Sequence, residues 1–140
     1  MVPSRTGVAR PAPSAQVAAI LTWVYAVGFG VPTIPIAVMA WRERRLPWFF
    51  DAFPMFGGPW SDSMPWSVFG WLLIAYFAVT VAVAFAGLLL WRGRRAGAIL
   101  TFALIPIEAI FWWGFALPFP PLIAVVRVAL AAVAWRRLRR

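Results

Sequence analysis

Apolar residues fall in long unbroken runs along this chain, with no sustained alternation of the kind that marks half-buried strands. Residues 17–41 and 68–91 contain no charged side chain at all, and 96–117 and 118–135 contain one each, Glu108 and Arg127. A helix needs about 20 apolar residues to cross a hydrocarbon core of about 30 Å, so each run is read as a transmembrane helix. The expected fold is an all-α polytopic membrane protein with four transmembrane helices, N-in/C-in. Residues 17–140 form a single membrane domain, and 1–16, with three prolines, two serines and two arginines, form a disordered basic cytoplasmic tail. Arg5 and Arg10 ahead of an apolar run, with Val38-Met39-Ala40 beyond it, also resemble a secretory signal. The apolar run is long for a signal, and it is kept as a helix.

Proline and glycine punctuate the pattern. Gly28-Phe29-Gly30-Val31-Pro32-Thr33-Ile34-Pro35 interrupts the first helix, since each proline lacks a backbone donor and crowds the carbonyl one turn earlier. Pro32 and Pro35 therefore predict a kink, or a break that bares backbone groups to a ligand. Ala18, Thr22, Ala26 and Gly30 recur every fourth residue and predict a narrow face for a neighbouring helix, as do Ala78, Ala82 and Ala86 in the second span.

Residues 42–67 fit neither a span nor a solvated loop. Four prolines and Gly57-Gly58 forbid one long helix, while Trp48, Trp60, Trp66 and several phenylalanines favour the headgroup zone. An aromatic Pro/Gly-rich cap between the first two helices is expected, interfacial or re-entrant; 46–60 is too short and too broken to cross as a fifth span. Asp51 and Asp62 are its acids within that aromatic stretch, eleven residues apart, and read as solvated or arginine-paired loop residues. No metal site is assigned to them.

Composition sharpens the class. The chain is 64% hydrophobic and 12% charged, against about 45–50% and about 25% in soluble domains, which places it in a membrane. Thirteen arginines against Glu43, Asp51, Asp62 and Glu108 give a net charge of +9. Because these arginines flank apolar runs, they are assigned to topology and lipid headgroups and not to nucleic acid. The four-span order puts nine arginines inside and three, Arg42, Arg44 and Arg45, outside. Those three run against the positive-inside rule. The arginine-only, alanine-rich usage fits a GC-rich bacterial genome, hence the bacterial cytoplasmic (inner) membrane. Without cysteine or histidine there is no thiolate chemistry, no usual metal ligand and no ordinary general base. No catalytic residue, metal or cofactor is assigned.

The chemistry gathers in the last two spans. They are joined by Phe115-Ala116-Leu117-Pro118-Phe119-Pro120-Pro121. A reversal near Leu117 and Pro118 sets Glu108 and Arg127 each about nine or ten residues from the turn, roughly 14 Å down a helix, at one depth near mid-membrane. An unpaired charge there costs roughly 2.5–3.5 kcal/mol, so the two are expected to pair. Ala124, Ala131 and Ala134 keep the face around Arg127 narrow, and Leu104, Phe111 and Trp112 flank Glu108. Two readings remain open: a structural ion pair that fixes helix register, or a ligand or proton site.

Three function classes follow. An accessory or structural subunit of a larger membrane complex suits small-residue faces, an aromatic cap and the lack of a reaction centre. A dimeric small transporter or binder of lipid or a small molecule would use Glu108, Arg127, Trp112 and the Pro32/Pro35 break. A membrane enzyme comes third, because nothing stands ready to activate a serine or threonine. Expected partners are membrane lipids and other membrane proteins or a second copy of the chain.

Overall fold

A computed structural model describes residues 11–140, and most of them are helical. The first long rod is built of α1 (Pro13–Tyr25), a π turn (Ala26–Gly30) and α2 (Thr33–Glu43). After a cap come α4 (Trp66–Trp91), α5 (Arg95–Gly114) and α6 (Pro120–Ala134), which runs into a 3₁₀ turn (Trp135–Arg137). The cap holds strands β1 (Trp48–Phe49) and β2 (Phe53–Pro54) and the short helix α3 (Pro59–Ser63). A two-stranded hairpin was not part of the all-α expectation.

Among the described residues three helices are long and apolar enough to cross a membrane: Pro13–Glu43, Trp66–Trp91 and Arg95–Gly114. The expected fourth span, 118–135, is shorter. Its helix has 15 residues, about 22 Å, because Pro118 and Pro120 belong to the turn and to the helix start. In cross-section α1 packs on α4, α4 on α5, α5 on α6 and α6 back on α1, closing a ring, while α2 packs on α4 alone among the long helices.

The first helix starts at Pro13, four residues before the expected boundary. Proline at the first helical position loses no hydrogen bond. Ala12, Ala15, Ala18 and Ala19 then pack against Leu90, Ala98, Ala131 and Ala134. So the last residues of the supposed tail are helical, and its first ten lie outside the described residues.

Buried positions follow a spacing of three and four on each helix. On α6 they are Pro120, Ala124, Arg127, Ala131 and Ala134. On α4 they run through Phe69, Leu73, Tyr76, Thr80, Val83 and Leu90. The alanine stripe read from α4 is therefore corrected: Ala86 is buried, Ala82 half-buried and Ala78 exposed. A strict four-residue spacing drifts off a face that repeats every 3.6 residues. Along α1 and the π turn the stripe of Ala18, Thr22, Ala26 and Gly30 is buried throughout. A Cβ on Gly30 would run into the Thr80 hydroxyl, and one on Gly97 would meet the α4 backbone, 2.5 Å from the Leu90 nitrogen.

The proline break is mild. Pro32 precedes α2 and Pro35 lies in its first turn, where amide hydrogens have no partners within the helix anyway. Ahead of them the wide π turn carries the chain onward, and the Thr33 hydroxyl donates to the Gly30 carbonyl at 2.5 Å. The Gly30 carbonyl is satisfied.

The cap closes one end of the ring. Residues Phe50 and Asp51 turn the hairpin with φ of 47° and 57°, and the Ala52 amide donates to the Phe49 carbonyl at 2.9 Å. Left-handed conformations cost non-glycine residues roughly 1–2 kcal/mol each. Packing offsets this. Phe56 is 4% exposed, its ring edge-on to Phe115 at 5.5 Å and to Tyr76 at 6.1 Å. Trp60 stands edge-on to Phe111 and Phe115 and covers Gly114 so closely that no side chain would fit there. The cap is thus plugged into the bundle end by Phe56 and Trp60, with Phe50 left 87% exposed at the hairpin tip.

Candidate functional site

Each of the four ring helices sends a polar side chain to one buried point. From α5 comes Glu108 and from α6 Arg127, at 0% and 1% exposure. The guanidinium Nη2 donates to both carboxylate oxygens, Oε1 at 2.9 Å and Oε2 at 2.8 Å. The turn at 115–119 brings this about, since both residues then sit at matching distances from it. From α1, Tyr25 lays its ring 4.6 Å from the Arg127 guanidinium carbon, a cation–π contact. Its hydroxyl accepts from Trp112 Nε1 at 2.9 Å and lies 2.7 Å from the hydroxyl of Tyr76, which comes from α4.

Two phenols and one indole supply three donor hydrogens here, and beyond the two hydrogen bonds just given the Tyr25 hydroxyl stands within reach of the Glu108 carboxylate. Arg127 Nε and Nη1 are buried without hydrogen-bond partners. The Tyr25 face covers the guanidinium and softens that deficit. As arranged, the pair is closed: the carboxylate is engaged on both oxygens, and neither residue lines a cavity described below. It braces four helices at one depth.

A separate cavity opens beside the π turn. It holds about 260 Å³ and is lined by Val24, Gly28 and Phe29 of the first rod, by hairpin residues including Phe49, Phe53 and Phe56, and by Leu117, Phe119 and Ile123 of the α5–α6 corner. Every lining side chain is apolar. Gly28 is exposed and a Cβ there meets nothing within 4 Å, so the glycine leaves the cleft wide. Ile123 stands one turn from Arg127 on α6 and Val24 is next to Tyr25, which sets this cleft directly beside the polar knot. A shallower apolar recess between α5 and α6 is lined by Ile105, Trp112, Pro121, Ala124, Val125, Val128 and Ala129.

Of the residues singled out from sequence, Glu108, Arg127 and Trp112 come together in the knot. Pro32 and Pro35 stand apart from it; Pro32 is half-buried, Pro35 exposed, and neither lines the cleft. In the cap, Trp60 and Trp66 pack against the bundle while Trp48 is 59% exposed. Asp51 is exposed at the hairpin tip, and Asp62 accepts from the Ser61 hydroxyl at 3.2 Å. Neither is paired with an arginine, and no group of three metal-ligating side chains occurs among the described residues.

Four contributors were missed. Tyr25 and Tyr76 carry no charge and so drew no notice, although a phenol inside an apolar run needs a partner for its hydroxyl. Gly28 was read only as part of a break. Pro106, inside α5 two residues before Glu108, removes the amide that would bond the Phe102 carbonyl. Comparison with known protein families, curated proteins and solved structures finds no match to this chain.

Proposed function

We propose that the protein is a multi-pass membrane protein that binds an apolar chain, from a lipid or a hydrophobic small molecule, in the cleft between the π turn, the cap and the α5–α6 corner. The observation that carries this reading is the cleft itself. Its volume of about 260 Å³ lies just below the roughly 300–1,000 Å³ of ordinary ligand pockets, which suits one flexible chain better than a bulky ring system. No polar side chain lines it, so recognition there is by shape and apolar burial. In this reading Glu108 and Arg127 hold the walls of the site in register and do not touch its contents.

The same proposal takes the chain as four-span, N-in/C-in, in the bacterial cytoplasmic membrane. Arg92, Arg94, Arg95, Arg136, Arg137, Arg139 and Arg140 gather at one end without an acid. At the cap end Arg42, Arg44 and Arg45 are offset by Glu43, Asp51 and Asp62. That imbalance favours a cytoplasmic location for the arginine end.

The test is to fill the cleft. Gly28→Leu places a side chain in open space, so the fold should be unaffected while uptake of a fluorescent fatty acid, read by energy transfer from tryptophan, should fall at least tenfold. Equal uptake by Gly28→Leu and the unmodified chain would refute the assignment. A second reading, an accessory subunit, is favoured by one feature: Ala75 and Ala78 face outward on α4, with Ala82 half-buried beside them, leaving a narrow face that no helix among the described residues fills. Copurification of a larger membrane protein, lost on Ala78→Leu, would support it.

A further inference from the structure

The end of the bundle opposite the cap has a construction that topology alone does not require. After the 3₁₀ turn the chain folds back, and Leu138, 4% exposed, inserts among Ala12, Leu90, Ala98 and Ala134. Arg139 then pairs with the α4–α5 turn as a parallel β-bridge to Arg94. Its amide donates to the Gly93 carbonyl and its carbonyl accepts from the Arg95 amide, each at 2.8 Å. Arg95 Nε donates to the Leu138 carbonyl at 3.1 Å, and the Arg95 guanidinium lies 5.4 Å from the Trp135 ring centre. Two arginine runs far apart in sequence, 92–95 and 136–140, are thereby clamped side by side.

None of these arginines has a carboxylate partner among the described residues, and the four acids of the chain lie elsewhere. The twenty-residue helix α5 also begins here, with no acid in its first turn and no side-chain cap, which adds the positive end of its dipole. Trp91 directly precedes one run and Trp135 the other, marking the interfacial depth at which lipid phosphates lie. We propose that this clamped arginine surface is a binding site for the phosphate headgroups of anionic phospholipids in the leaflet at that end. Charge complementarity names the ligand class, and the tryptophan pair selects a lipid headgroup over a free anion. The inference stands independently of the apolar cleft, which lies at the other end of the bundle.

The experiment titrates the full chain in neutral detergent with dioleoylphosphatidylglycerol and, in parallel, with the phosphatidylcholine of the same chains, reading bound lipid by native mass spectrometry. An arginine near an anionic surface contributes about fivefold in affinity, so the glycerol lipid should bind at least tenfold tighter and the preference should fade in high salt. Replacing Arg136, Arg137, Arg139 and Arg140 by glutamine should remove the preference. Leu138→Ser keeps every charge but releases the clamp, and should weaken the preference too. Equal binding of the two lipids, or an unaltered preference in the glutamine variant, overturns the proposal. So does displacement of the lipid by inorganic phosphate at matched concentration, or tighter binding of a short oligonucleotide. If the glutamine variant fails to fold, the salt dependence of the unmodified chain decides the matter in the same terms.

Discussion

Removing either member of the Glu108–Arg127 pair should damage the protein more than removing both. Both side chains are shut off from solvent, at 0% and 1% exposure, and one guanidinium nitrogen serves both carboxylate oxygens at 2.8–2.9 Å. Breaking such a pair from one side typically costs about 3–5 kcal/mol, because a charge stays buried without its partner, whereas replacing both members is often nearly neutral. The two single variants should differ. Glu108→Gln leaves an amide oxygen able to accept from Arg127, and the cation keeps the Tyr25 face at 4.6 Å, so about 3 kcal/mol is expected. Arg127→Leu takes both bonds and the whole counter-charge from Glu108, which puts it nearer 5 kcal/mol. The double variant has no buried charge to strand and should lose about 2 kcal/mol or less, a coupling of about 6 kcal/mol between the two sites. Unfolding of the purified chain in mixed micelles, followed by tryptophan fluorescence with increasing sodium dodecyl sulfate, measures all four proteins on one scale. Additivity within about 0.5 kcal/mol would show that the two residues act independently and refute the pairing.

Two further outcomes follow from particular contacts. Gly97→Ala should destabilise the bundle by about 1–3 kcal/mol in the same unfolding assay, since its Cβ would meet the rigid backbone of α4 and not a movable side chain. Tyr25→Phe should cost more than Tyr76→Phe, by about 1 kcal/mol, because the Tyr25 hydroxyl serves both Trp112 and Tyr76 while the Tyr76 hydroxyl has the one partner. The reverse order would mean that the tyrosine knot is arranged differently.

The parts of this structure legible in the sequence are those set by counting. Apolar runs locate three helices within a few residues, and the matching distances of Glu108 and Arg127 from one turn foretell that they share a depth. What sequence hid depends on direction and not on distance. The face of α4 toward the core is fixed by Phe69, Leu73 and Tyr76 fitting against the cap, so an alanine spacing that looks like an interface turns outward by Ala78. The hairpin turn was hidden for another reason: Phe50 and Asp51 occupy a left-handed turn that composition would give to Asn-Gly, held by cap packing against Tyr76 and Phe115. The clamp at Arg139 is a long-range backbone pairing with no side-chain signature at all. The start of α1 at Pro13 was obscured because Pro, Ser and Gln read as tail composition, although proline at that position favours a helix.

The π turn at Ala26–Gly30 has one more implication, for how the first rod tolerates change in length. A wide turn of this kind accommodates one extra residue without breaking the helix, and each residue of an α-helix advances the azimuth by about 100°. Deleting Gly28 would let the rod relax to a uniform α-helix with the azimuth beyond it nearly kept, because the five residues of the wide turn sweep about the same arc as four of an α-helix. Ile36, Ala37 and Ala40 would still face α4, and Trp41 would still reach the Ser67 carbonyl, to which it now donates at 3.2 Å. A deletion elsewhere in the rod has no such turn to absorb it and would swing those same residues off α4, so the first rod forgives a lost residue at the turn alone.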